Sequence, residues 1–134
     1  MSQENVELVR RVNALANAGE WDAVFELYHP DIEFRDLQHA PDMPEVFRGR
    51  EEGRLVVENW TAAYDEFAAE VYEYIDAPRW VVCDTRWHGK GRGSDVPIDG
   101  RGADAYEVRD GVVVRVILGY ADVATALAAL ELSQ

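Results

Sequence analysis

Two carboxylates fall on the apolar faces of two different expected strands. In DIEFRD, Ile32, Phe34 and Asp36 share one side, because side chains alternate along a strand with a period of two. The same count in GADAYEVRDG puts Asp104 with Tyr106 and Val108. Carboxylates are rarely buried without a partner or a task. An aspartate at the mouth of an apolar pocket can take a proton from a carbon next to a carbonyl. A second carboxyl, kept neutral by desolvation, can donate to the enolate oxygen that forms. The structural alternative is that Asp36 caps the following loop or pairs with Arg35 or Arg48. Asp104 would then be held by Tyr or Trp donors.

Other side chains able to do chemistry are scattered. His39, three residues past Asp36, is a candidate acid or base, with a solvated loop residue as the alternative. Trp60, Tyr64, Tyr106 and Tyr120 are candidates to line the cavity, with simple core packing as the alternative. His88 shares strand parity with Asp84 and Arg86, opposite an apolar side made by Val81, Cys83, Thr85 and Trp87, so it is expected outside. His29 belongs to a helix-stopping turn. The histidines have no ligand spacing, and no metal site is expected. Cys83 has no cysteine to pair with and reads as a small core residue. GKGRGS at 89–94 lacks the spacing of a phosphate-binding loop and opens no helix, so it reads as a flexible hairpin.

These residues need elements to hold them. Helical spacing of Val6, Val9, Val12 or Asn13, and Ala16 predicts a helix over 3–18, with Gly19 as its stop. Trp21, Val24, Phe25 and Tyr28 make a narrow apolar stripe on a short helix over 20–28, ended by His29-Pro30-Asp31. A first strand covers 31–37, and residues 38–48 form a loop long enough to cover something. A third helix spans 50–64. Strands follow at 67–76, 79–90, 97–109 and 112–121, with Asp110-Gly111 as a hairpin signal, and a last helix spans 122–131. Helices ahead of a strand-rich half predict an α+β fold, with the helices on one face of a curved antiparallel sheet and a pocket between the layers.

The 134 residues suit one domain, and the 48% hydrophobic fraction suits a globular core. No apolar run approaches the ~18 residues of a membrane helix, and MSQENVELVRR lacks the layout of a secretory signal. The expected location is cytoplasmic. A formal net charge of −13, with Lys90 the one lysine, repels phosphate backbones and anionic membranes. Neither nucleic acid nor a membrane surface is an expected partner.

The segments ALANAGEWDAVFELYHPDIEFRD, FRGREEG and ADAYEVRDGVVVRVILGY, in that order, resemble the SnoaL-like and ketosteroid isomerase-like branch of the nuclear transport factor 2-like superfamily. With the strands between them, the resemblance covers nearly the whole chain, 1–134. It implies a cone-shaped, cystatin-like α+β fold, its curved antiparallel sheet wrapped around the N-terminal helices. It also implies a homodimer formed through the outer sheet face, where Asp84, Arg86 and Arg115 lie. Carried over by position, Asp36 matches the isomerases' catalytic base, and Asp104 their protonated hydrogen-bond donor. Tyr120 matches an aromatic pocket wall. Val12 stands where those enzymes place a hydrogen-bonding tyrosine, and it has no donor; Tyr28 is a candidate to reach inward in its place.

The resulting expectation is a protein that binds a small apolar, carbonyl-containing or polycyclic ligand. It would transfer protons in the manner of an isomerase, cyclase or dehydratase, without metal or organic cofactor. One alternative is a non-catalytic ligand-binding or dimerisation module. A second is a limonene-type epoxide hydrolase, whose Arg-x-Asp pair finds only the reversed Asp84-Thr85-Arg86 here.

Overall fold

The computed structural model describes residues 2–39 and 41–132. Helix α1 (Ser2–Asn17) buries Val9 and Val12 and turns off at Gly19. There the Gly19 N–H donates to the Ala16 carbonyl at 3.0 Å and the Glu20 N–H to that of Leu15 at 2.9 Å. This pair of bonds satisfies carbonyls that the helix end leaves open. Helix α2 (Trp21–Glu26) leads into strand β1 (Tyr28–Asp36), and β2 (Val46–Arg48) leads into α3 (Gly49–Ala63). Four long strands follow, β3 (Tyr64–Ala77), β4 (Trp80–Gly91), β5 (Pro97–Arg109) and β6 (Val112–Tyr120), before α4 (Val123–Leu132).

The strands form one open sheet in the order β2-β1-β6-β5-β4-β3. All neighbours are antiparallel except β1 and β6, which run parallel. Irregularities between Asp65 and Ala68 and between Val71 and Glu73 interrupt the β3 ladder, and such bulges bend a strand and increase its twist. The concave face closes over α1, α2 and α3 around Val9, Val12, Phe25, Ile32, Phe34 and Val116. This is the cone-shaped α+β arrangement expected. The convex face has a core of its own. Trp80, Val82, Ala103, Ala105 and Ile117 pack under Ala126 and Leu130 of α4.

The arrangement differs from the sequence reading in several places, among them the start of the third strand, which is Tyr64 rather than 67. The apolar stripe over 21–28 is helical only to Glu26, and Tyr28 opens β1 instead. The first strand therefore starts at Tyr28 rather than at 31, and Pro30 is accommodated in it because it lies within the irregularity between Tyr28 and Glu33, where the β6 ladder asks it for no N–H. The loop at 38–48 contains β2, whose Phe47 pairs with Phe34 and is buried. Three residues are too few for a period to show. Finally, the parallel β1–β6 pair departs from a purely antiparallel sheet, since strand direction across the chain is set by long-range pairing.

Candidate active site

Asp36 ends β1 and lies in register with Leu118 of β6. Asp104 lies on β5, on the other side of β6, between Ala103, which pairs with Tyr120, and Ala105, which pairs with Ile117. The two aspartates are thus two strands apart, about 9–10 Å between backbones. Both occupy the concave face, as strand parity predicts: Ile32 and Phe34 precede Asp36 there, and Tyr106 and Val108 follow Asp104.

Asp104 is 4% exposed. Two steps along β5 pair with three along β6 at this point, so a bulge of Leu118 and Gly119 faces it. The Gly119 N–H donates to Asp104 Oδ1 at 3.1 Å. The Trp87 side chain, from β4, also bonds the carboxyl, as does Thr85. Thr85 Oγ1 lies 3.1 Å from the Cys83 carbonyl as well. Its one proton serves one acceptor at a time, so a protonated Asp104 can donate to Thr85 while Thr85 donates to Cys83. Burial outweighs these bonds and raises the Asp104 carboxyl to about 7, with the charge of Asp36 adding to the rise. At neutral pH such an acid is available both as carboxyl and as carboxylate.

Asp36 is half-buried, and its carboxyl is raised more modestly, again by desolvation. The backbone N–H of Gln38 donates to its Oδ1 at 2.9 Å, and that bond and the charge of His39 oppose the rise. The arginines that might have locked it are engaged elsewhere. Arg35 pairs with Glu45, and Arg48 with Glu33 at 2.9 Å. Among the described residues, no arginine or lysine pairs with either aspartate.

His39 acts on Asp36 electrostatically, so the structure brings these two together. Tyr106 is 6% exposed, on the same face as Asp104. Its hydroxyl donates to Asn13 Oδ1 at 3.4 Å; Asn13 Nδ2 in turn donates to the Tyr74 hydroxyl at 3.4 Å and lies 4.0 Å from the Cys83 sulfur. Tyr28 is buried in the concave core, edge-on to Phe25 with ring centres 5.2 Å apart. Trp60 packs against that core and stacks on Phe67, which also stacks on Tyr64, at 6.0 and 5.4 Å between ring centres.

Tyr120 is the correction among these residues. It packs in the convex cluster near Ile117 and feels the charges of Arg35 and Arg115, on the face away from the aspartates. The bulge at Leu118–Gly119 adds a residue and reverses the parity that would have turned it inward. Asp84 and Arg86 also face outward, paired with Arg101 at 3.0 Å and with Asp99 at 2.7 Å. The Asp-x-Arg set of the epoxide hydrolase alternative therefore points away from Asp36 and Asp104.

Sequence reasoning passed over Asn13, Thr85, Trp87 and Gly119 as site residues. Parity along β4 signalled the inward direction of Thr85 and Trp87, but not that they meet Asp104. Cys83 is fully buried, and its thiol is pushed up by burial, which leaves it inert as a nucleophile. Among the described residues, no three His, Cys, Asp or Glu side chains cluster as metal ligands. A groove between α1 and the β5–β6 hairpin, lined by Glu4, Leu8, Arg11, Val108 and Arg109 among others, lies at the Arg109 end of β5 and includes neither Asp36 nor Asp104 in its lining.

Residues 9–116 match the family of the SnoaL-like domain. The chain belongs to the SnoaL-like domain family. No curated protein sequence matches it. Solved structures match this SnoaL-like domain in fold. A candidate SnoaL-like polyketide cyclase from Jannaschia sp. CCS1 is 18% identical with a TM-score of 0.77, covering 98% of this chain and 91% of that one. TerC, co-crystallised with polyporic acid, is 14% identical with a TM-score of 0.78, covering 96% and 97%. A protein of ketosteroid isomerase-like fold from Catenulispora acidiphila, in complex with trimethylamine, is 19% identical with a TM-score of 0.73, covering 91% and 90%. At these identities the likeness carries the fold, and chemistry has to be argued from the site. Among the described residues, no helix is long and apolar enough to cross a membrane.

Proposed function

We propose that this SnoaL-like domain binds a small carbonyl-containing or polycyclic ligand against its concave face and moves protons on it, as an isomerase, cyclase or dehydratase does. Asp36 is the base that takes the proton from the carbon next to the carbonyl. Asp104, in its neutral form, donates a hydrogen bond to the oxygen on which negative charge develops. Return of the proton from Asp36 to another carbon completes an isomerisation; its delivery to a departing hydroxyl, lost as water, completes a dehydration, and its delivery to the alkoxide formed when the enolate attacks a second carbonyl completes a cyclisation.

The observation that carries this reading is the buried Asp104 carboxyl, raised to about 7 and held by Gly119 and Trp87 rather than by a cation, within electrostatic reach of Asp36. A structural carboxylate in so dry a place is ordinarily paired with a cation. Two comparison proteins support the ligand class: one is named as a candidate polyketide cyclase, and one was crystallised with polyporic acid. Val12, buried where the isomerases carry a tyrosine, removes one donor from the steroid isomerase arrangement.

The test is a turnover screen over phenolic, steroidal and polyketide-like carbonyl compounds, after a thermal-shift screen has found binders. Asp36→Asn is expected to lower turnover by ~10²-fold or more with the fold intact. Unchanged turnover would remove Asp36 from the base role. Tight binding with no turnover by the unaltered protein would leave a ligand-binding module instead.

The same reading includes a homodimer. Its interface would be the part of the convex face that α4 leaves open, where Tyr72 is 50% exposed and the Arg101 guanidinium lies 4.3 Å from its ring centre.

A further inference from the structure

Three hydrogen bonds run from one aspartate to the other through a residue that touches no other part of the proposed chemistry. The Gln38 backbone N–H donates to Asp36 Oδ1 at 2.9 Å. The Gln38 side-chain amide donates to the Gly119 carbonyl at 3.0 Å. The Gly119 N–H donates to Asp104 Oδ1 at 3.1 Å. A fourth bond, from the Leu37 N–H to the Leu118 carbonyl at 2.9 Å, ties the same two segments one residue earlier.

We propose that Gln38 is a positioning residue, which fixes the Gly119 bulge against Asp104 with its side chain and Asp36 with its backbone, so that the two carboxylates are held as one unit. This rests on the reading of Asp36 as base and Asp104 as donor.

The backbone at Gly119 supports a dedicated fit. Its φ of +95° lies in the region that disfavours side chains. A Cβ built there would sit 2.7 Å from Gln38 Cγ, closer than carbon atoms approach. Glycine at 119 therefore admits both the bulge and the glutamine that clasps it. The bulge is what turns the Gly119 N–H toward Asp104, since a regular ladder would spend that N–H on a neighbouring strand. Strand bulges beside reactive groups serve to re-aim a single group in this way.

The coupling follows from electrostatics. Each aspartate accepts an N–H that favours its charged form. One is the Gln38 N–H itself; the other, on Gly119, lies in the Leu118–Gly119 peptide held by Leu37, and the Gln38 amide restrains it from the carbonyl side by fixing the torsions of Gly119. Releasing the Gln38 amide frees the Gly119–Tyr120 peptide, so that the Gly119 torsions and with them the adjoining N–H are less fixed, and it loosens the turn that presents the Gln38 N–H. Both carboxyls should then become harder to ionise. Other groups also face them: His39 and Asp104 toward Asp36, and Asp36, Cys83 and Tyr106 toward Asp104. A change at Gln38 alters none of these charges when it is to a neutral residue of similar length.

The experiment is a carbon-13 NMR titration of the aspartate carboxyls in the unaltered protein and in Gln38→Met, which keeps length and neutrality and removes the donor. The expected result is an upward move of both the Asp36 and Asp104 midpoints, by roughly half a unit or more. Hydrogen exchange of the Gly119 amide should quicken in the same variant. Gln38 is exposed after the end of β1, so the variant is expected to fold, as its amide spectrum would show. Gly119→Ala should move Asp104 further in the same direction. If both midpoints and the Gly119 exchange rate stay as they were in Gln38→Met, the coupling is overturned while the roles of Asp36 and Asp104 still stand. If the midpoints move but the unaltered protein turns over nothing, the coupling holds and the proposed reaction fails.

Discussion

Trp87 bonds the Asp104 carboxyl from the neighbouring strand, and it does so across two residues without side chains. Gly100 pairs with Trp87 in the β4–β5 ladder, and Gly102 stands two residues further along. A Cβ on Gly102 would meet the indole at 3.0 and 3.1 Å and would also collide with the Tyr120 carbonyl. The glycine thus lets the ring lie close to the strand, where its N–H can reach the acid. Tryptophan offers a donor and no acceptor, so this contact favours the charged form of Asp104 against the burial that disfavours it.

Trp87→Phe keeps most of the ring and removes the donor. The Asp104 midpoint should rise above 7 by about one unit, read from its carboxyl carbon by NMR. A midpoint that stays in place would mean that the indole packs beside Asp104 without supporting its charge.

Asp104 also predicts how stability varies with pH. Its carboxyl is raised from 3.8 to about 7 on folding, so the folded state binds the proton more tightly than the unfolded state. Below about pH 4 both states are protonated, and the contribution is fully present. It is lost as pH rises through about 7, by on the order of 4 kcal/mol across that window. The raised Asp36 adds a smaller slope of the same sign. Urea unfolding at pH 5 and pH 8 should therefore show the protein less stable at the higher pH, and Asp104→Asn should flatten most of the difference. Equal slopes for the two proteins would show that Asp104 does not hold its proton in the folded state.

The proposed homodimer is checked by sedimentation velocity at micromolar concentration. The unaltered protein should run as a dimer, and Tyr72→Glu, which adds a charge to the open part of the convex face, should run as a monomer. A monomeric unaltered protein would remove the dimer from the reading.

Much of this arrangement is legible along the chain. Alternation in DIEFRD and ADAYEV turned Asp36 and Asp104 toward the concave core, and Pro97–Arg109 is the strand that its pattern outlines. Gly19 stops α1, and Asp110-Gly111 turns β5 into β6, because both signals are local backbone chemistry. Parity also placed Asp84, Arg86 and Thr85 on their observed sides. These features depend on a few neighbouring residues, and the sequence by itself determined them.

Tertiary structure decided the rest. Parity counts residues and cannot see an inserted one, so the Gly119 bulge, which turns Tyr120 to the convex face, appears only once β5 and β6 are paired. The β2 strand exists because Phe47 finds Phe34, and the parallel β1–β6 pair because the last strand returns to the first. The proton affinity of Asp104 is decided there too. Desolvation is set by everything packed around a carboxyl, and its bonding partners Gly119 and Trp87 come from two other strands. The sequence could show that two aspartates turn inward; only the folded sheet could make one of them an acid near pH 7.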